Sequence, residues 1–164
     1  MRKSETTRVL VGREAADERP LSATLPARVL RHDHAYGQST LFFGDGELRA
    51  PLVDAAIGAS MLVTIDARDV SIALSRPMDV SIQNRLPGTI VAVEPLSLPY
   101  VRVTFDLGSV TLFALVTLES VERLALEPGL RAWAMIKAVA IGPDAVRRAP
   151  APKPRCWPAV HSAG

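Results

Sequence analysis

LPGTIVAVE, residues 86–94, is a second version of LPARVLRHD, residues 25–33, and reading the two as copies decides the fold. Each opens on Leu-Pro and continues as a short apolar alternation, the period of a strand with one buried face. The offset between them is 61 residues, and the likeness extends downstream. STLFFGDGELRAPL, 39–52, corresponds to VRVTFDLGSVTLFALV, 101–116, through a hairpin in each. GASMLVTIDA, 58–67, corresponds to GLRAWAMIKA, 129–138, with Gly58 on Gly129 at an offset of 71. The second copy is therefore about ten residues longer, and the surplus falls at LESVERLALE, 118–127. That insert is predicted as the one helix, with Val121, Leu124 and Leu126 on its apolar side and Thr117 as N-cap.

Elsewhere the pattern predicts strands at Ser22–His32, Ser39–Phe43, Glu47–Ala50, Met61–Asp66 and Val70–Leu74 in the first copy. Pro87–Glu94, Val101–Asp106, Val110–Val116 and Arg131–Ile141 follow in the second. Turn signals separate them: AYG at 35–37, GDG at 44–46, LG at 107–108 and PG at 128–129. Closely spaced short strands with such turns indicate a small barrel or sandwich. The duplication indicates two similar β units packed side by side.

Composition bounds what such units can do. The 164 residues are 48% hydrophobic but only 5% aromatic, so the core must be aliphatic. No run of eighteen apolar residues occurs, and the first twenty lack the apolar region of a signal peptide. A lone cysteine, Cys156, allows no internal disulfide, and a cytoplasmic setting is the default expectation. The net charge of +2 comes from the end of the chain. From Arg147 onward there are four basic residues, four prolines and no acid, the composition of a disordered tail. Without it, 15 basic side chains face 17 acidic ones, which argues against a nucleic-acid surface.

Standard catalytic motifs are missing from the sequence. None of the three lysines, Lys3, Lys137 and Lys153, follows a glycine as a P-loop requires, and there is no HExxH or GxSxG. His32 and His34 read either as a metal pair on one strand face or as polar residues at a strand end. Asp66 and Asp69 read either as paired carboxylates or as turn and strand-edge charges.

The copies differ most in polar residues that only the second carries. Lys137 stands where the first copy has Asp66, and Thr117 and Ser120 flank the added helix. Ahead of the second copy stands SIQNRLPG, 81–88, where the corresponding place ahead of the first reads RPLSATLP, 19–26. The hydroxyls of Ser81, Thr117 and Ser120, the amide of Asn84, one ammonium and a helix start suit a small tetrahedral oxyanion. Each also has a local explanation: a turn for Ser81 and Asn84, an N-cap for Thr117, a solvent-facing strand position for Lys137.

SIQNRLPGTIVAVE, FALVTLESVERLALEPG and RAWAMIKAVAI resemble the Mop (molybdopterin-binding-protein, TOBE) domain. The preceding half is similar to the segment joined to Mop in the ATP-binding subunit of molybdate ABC importers, through AYG, the GDGEL hairpin and ARDVSIAL. The resemblance spans residues 20 to 142 and implies an all-β chain of two tandem OB-like barrel units, with one short helix in the second. It divides the sequence into a connector, 1–20, a first OB-like half, 21–76, the Mop/TOBE domain, 80–142, and a basic tail, 143–164. By motif position the oxyanion contacts fall on Ser81, Gln83, Thr117, Ser120, Arg123, Lys137 and Ala138. Gln83 stands where the family often has arginine, and Ala138 where many relatives have serine.

The resemblance implies binding of molybdate or tungstate, without nucleotide, in a non-enzymatic regulatory module detached from its ATPase domain. It also implies a homo-oligomer, contact with ABC transporter subunits, and a cytoplasmic place at the inner face of the membrane without insertion. The alternative is a barrel that dimerises or docks without binding an anion.

Overall fold

The computed structural model describes residues 20–44 and 46–153. Ten strands make two five-stranded antiparallel sheets. In the first half lie β1 (Ser22–Asp33), β2 (Gln38–Phe43), β3 (Gly46–Pro51), β4 (Ser60–Asp66) and β5 (Val70–Ala73). In the second lie β6 (Asn84–Pro95), β7 (Tyr100–Asp106), β8 (Thr111–Thr117), α1 (Leu118–Leu124) and β9 (Arg131–Ile136), with β10 (Val146–Arg148) last.

The two copies superimpose in their hydrogen bonding as they do in sequence. β1 pairs with β4 over its first half and β2 over its second, with a bulge between Val29 and Arg31. β6 divides in the same way between β9 and β7, with its bulge between Ile90 and Ala92. A bulge sharpens the bend and lets one long strand serve both sides of a small barrel. Pro26 and Pro87 both lie in the half that has a neighbour on one side only, where an absent N–H costs least. Gly58 and Gly129, at φ +84° and +93°, donate at 2.7 Å to the carbonyls of Val29 and Ile90. These pairs reproduce the offsets of 71 and 61.

The fifth strands are exchanged. One sheet runs β10–β4–β1–β2–β3 and the other β5–β9–β6–β7–β8. β5 leaves the first copy to pair with β9, Val70 opposite Ile136. β10, which follows the second copy, returns to pair with β4, Val146 opposite Val63. The boundaries 21–76 and 80–142 thus mark the duplication but do not cut the structure into separate bodies. A single aliphatic core reflects this, holding Leu25, Leu41, Leu48 and Val63 together with Ile90, Leu112, Ala134 and Ile136.

Two expectations change at the C-terminal side. β9 stops at Ile136 rather than Ile141, because the chain tightens into a 3-10 turn over Ala138–Ala140. Ala138 is buried there, and the Ala140 and Ile141 N–H groups close on Lys137 and Ala138 carbonyls at 3.0 and 3.1 Å. The start of the predicted disordered tail is ordered: Pro143–Ala145 form a second 3-10 turn, β10 follows, and Ala149 N–H donates to Ser60 at 2.9 Å. Residues 154–164 of that tail, Cys156 among them, lie outside the described residues, as do residues 1–19 of the connector.

Side chains also join the copies. Asn84 is 1% exposed, and its Oδ1 accepts the Arg49 N–H at 2.6 Å while its Nδ2 donates to the Arg49 carbonyl at 2.9 Å. The carboxamide acts as one more rung of ladder between β3 and the start of β6. Arg102, also buried, pairs with Glu94, lies 4.9 Å over the Phe113 ring and donates at 3.0 Å to the Pro20 carbonyl ahead of β1.

Asn84→Ala removes both bonds and leaves two part-buried main-chain groups of Arg49 unpaired. Unfolding in urea is expected to show a loss of roughly 2–4 kcal/mol. Truncation after Gly142 spares residues 80–142 but strips β10 from the first sheet. It is expected to lower stability by about 1–3 kcal/mol while unfolding remains one transition, followed by circular dichroism and calorimetry.

Candidate functional site

The residues named from sequence fall into two groups. The first gathers where the ends of β6 and β9 meet. Asn84 is the cross-strand partner of Ile136, so continuing the antiparallel register sets Gln83 opposite Lys137. Ser81, Gln83 and Lys137 are exposed, whereas Ala138 is buried at the head of its 3-10 turn. Lys137 precedes that turn without a side-chain cap bond, and among the described residues its ammonium has no ion pair. In the first copy Asp66 occupies the same place ahead of the turn Ala67–Asp69, and its Oδ1 accepts the Arg68 N–H at 2.8 Å. The predicted correspondence of Lys137 and Asp66 is therefore structural, and the two carry opposite charge.

The second group sits where β8 runs into α1. Thr117 is the N-cap: its Oγ1 accepts the Ser120 N–H at 3.2 Å. The same hydroxyl donates to Ser120 Oγ at 3.0 Å, which leaves the Ser120 proton to point elsewhere. Arg123 is exposed in the last turn, and Ala125 ends the helix in left-handed geometry at φ +49°. The start of α1 is fixed by the Leu118 N–H, which donates to Pro99 at 2.9 Å.

These groups occupy opposite ends of β6 along the ladder. Asn84 pairs with Ile136 at one end; at the other, Pro95 pairs with Val101 and the neighbouring Tyr100 with Thr117. Twelve residues of strand separate them, on the order of 30 Å or more measured along the chain. Among the described residues no hydrogen bond joins one group to the other.

Asn84 leaves the candidate set. Both ends of its carboxamide are taken by Arg49, so it holds the chain on which Gln83 rides instead of facing a ligand. His32 is explained in the same way. His32 Nδ1 lies 2.8 Å from Ser39 Oγ and Nε2 lies 2.7 Å from the Ala55 carbonyl. Ser39 Oγ also accepts the Val53 N–H at 2.9 Å, so this network holds the 52–59 loop and leaves no ring nitrogen for a metal. Asp66 is a capping residue, paired loosely with Arg68 at 3.7 Å.

What the sequence did not indicate is the part the first copy plays beside Gln83. Gln38 of β2 and Gln83 exchange amide bonds, Gln38 Nε2 donating at 2.7 Å and Gln83 Nε2 at 3.4 Å. An open cleft of about 430 Å³ lies there, lined by Asp33, Tyr36, Gln38, Arg49 and Gln83. Four of its five lining residues belong to the first copy. Their only signal in sequence was position in a hairpin, since nothing local told which part of the second copy that hairpin would meet.

Comparison with known proteins places this geometry. Residues 80–142 match the TOBE domain family. The chain is 42% identical over 117 residues to the molybdenum import ATP-binding protein ModC of Mesorhizobium japonicum, covering 71% of this chain and 32% of that protein. It is 37% identical over 119 residues to ModC of Albidiferax ferrireducens, covering 73% and 32%. The chain thus spans about a third of the length of these relatives. In fold it is similar to the cytoplasmic molybdate-binding protein ModG in a crystal form with molybdate bound, at a TM-score of 0.64 and 24% identity, covering 77% of this chain and 95% of that one. The two-unit OB-like architecture agrees with that likeness in fold, and the TOBE match covers the second of the two units.

Proposed function

We propose that this chain is a regulatory module that binds molybdate or tungstate and is linked to molybdate import. The observation that supports the reading is that Gln83 and Lys137 adjoin the Asn84–Ile136 pair at the end of the β6–β9 ladder, with Ser81 two residues before Gln83. Lys137 is exposed there, without a side-chain cap bond, and the hydroxyl of Ser81 and the amide of Gln83 are exposed on the neighbouring segment. One cation in a largely neutral cage offsets part of a dianion's charge, while donor geometry and cavity size select among tetrahedral anions. The similarity to ModC proteins and to molybdate-bound ModG supports the same ligand class.

The second group supplies the remaining donors from another copy. The Ser120 hydroxyl, oriented by Thr117, and Arg123 stand at the far end of β6, so the full set assembles where the β8–α1 end of one chain meets the β6–β9 end of another. Ala138 contributes its backbone N–H. In a transporter, occupancy of such a shared site favours the arrangement of subunits that completes it, and import slows as the anion accumulates. The competing reading, a docking barrel without ligand, draws on Asn84 being consumed by Arg49 and on the Gln38–Gln83 amide pair.

Titration calorimetry with molybdate, tungstate and sulfate separates the two: the first two anions are expected to bind and sulfate to give little heat. Heat from none of them, with the fold intact by circular dichroism, leaves the docking reading. Lys137→Ala is expected to weaken molybdate binding by about tenfold or more, the loss of a charge-assisted contact. Asp66→Asn, which keeps the cap acceptor at the corresponding place, leaves affinity unchanged. Sedimentation velocity with and without molybdate is expected to show a larger assembly when the anion is present.

A further inference from the structure

We infer that Arg49, from the first copy, supplies the cation that Gln83 does not, so that the oxyanion site draws on both halves of the chain. The inference rests on the oxyanion-binding reading above and adds to it a residue outside the TOBE-matching segment. Its basis is the cleft of about 430 Å³ in which Arg49 and Gln83 face the same space.

One contact holds the Arg49 main chain there, and two more fix its neighbours. Its N–H and carbonyl are clasped by the buried Asn84 carboxamide at 2.6 and 2.9 Å, one residue from Gln83. Gln38, one strand over on β2, exchanges amide bonds with Gln83 itself. β3 also packs against the 3-10 turn Ala138–Ala140, which follows Lys137 directly. The strand bearing Arg49 therefore runs beside the ends from which Lys137 and Gln83 emerge. Leu48 and Ala50 on either side point into the core, which turns the Arg49 side chain outward.

The chemistry of the cleft fits a small oxyanion. Among the described residues the Arg49 guanidinium has no ion pair, and a planar fork of N–H donors matches two oxygens of a tetrahedral anion. Each glutamine of the amide pair keeps a second N–H beyond the one it gives its partner. Asp33, the acid lining the cleft, accepts the Tyr36 N–H at 3.2 Å through Oδ1 and so caps its own turn. Its charge balances the guanidinium and keeps the cleft near neutral, so selectivity falls on donor geometry rather than on net charge.

Substitution at Arg49 leaves the Asn84 bridge intact, because that bridge uses only main-chain groups. Calorimetric titration with molybdate is compared for the full chain and for Arg49→Met, Gln83→Arg, their combination, and Arg31→Met as a surface control. Arg49→Met is expected to raise Kd about tenfold, as loss of a charge-assisted contact does. Gln83→Arg alone is not expected to tighten binding about tenfold, since the cation is already present. Added to Arg49→Met it brings Kd back to within about threefold of the original, and Arg31→Met has no effect. An unchanged Kd in Arg49→Met, or a failure of Gln83→Arg to restore it, overturns the inference. So does Gln83→Arg tightening the unaltered chain tenfold, a result that does not depend on Arg49→Met folding. If the unaltered chain binds no molybdate, it is the oxyanion reading itself that fails.

Discussion

The carboxamide of Asn84 closes on the N–H and carbonyl of Arg49, out of reach of water, and the positions of the surrounding elements depend on that closure. A buried amide left without partners costs free energy, so the residue can sit at the start of β6 only if β3 of the other copy lies alongside. Once it does, Gln83 is delivered to Gln38 and Arg49, and β9 carries Lys137 to the same end through its pairing with β6. On the opposite side Arg102 plays a related part, tying the second copy to the Pro20 carbonyl through a donor left over from its Glu94 pair. The copies are thus joined by polar contacts at both strand starts, by exchanged strands and by one core. Such redundancy makes the relative placement of the two halves a property of the fold itself.

Much of this was readable in advance, and what was not shares one cause. Duplication, hairpins, the Thr117 cap and the Lys137–Asp66 correspondence depend on local pattern, and local pattern is what a sequence displays. The destination of β5 depends instead on which sheet edge it meets, and VSIA alternates equally well beside β4 or β9. β10 escaped notice for the same reason: VRR in a proline-rich tail offers one half-buried valine, and only the open edge of β4 makes a strand of it. An amide in SIQN can form a turn or bind an anion as readily as it can bridge two strands. Its long-range partner, 35 residues away, decides among these.

The same distinction applies to the site. Comparing the copies showed where polarity had been added, and so pointed to Lys137, Thr117 and Ser120. It could not show Arg49, which lies in the copy that gained nothing. Its position on β3 corresponds to Phe113 on β8, each being the cross-strand partner of a buried threonine, Thr40 and Thr104. In the second copy that place stacks under Arg102, a structural role. In the first it opens to a polar cleft. On the proposed reading, one copy differs from the other at its strand ends, and the other provides the strand that passes beside them.

Division of the donor set between opposite ends of β6 has a thermodynamic consequence on the proposed reading. A ligand that contacts two copies binds the assembled state and not the separated one, so its binding energy adds to the energy of assembly. The coupling is reciprocal: whatever holds the copies together raises anion affinity by the same factor. A rigid chain transmits this better than a flexible one, since movement between the two ends would dissipate the bias before it reached a partner. Exchanged strands and the Asn84 bridge supply that rigidity. The features that make the two halves inseparable are also those that would let occupancy at one end of the barrel be read at the other.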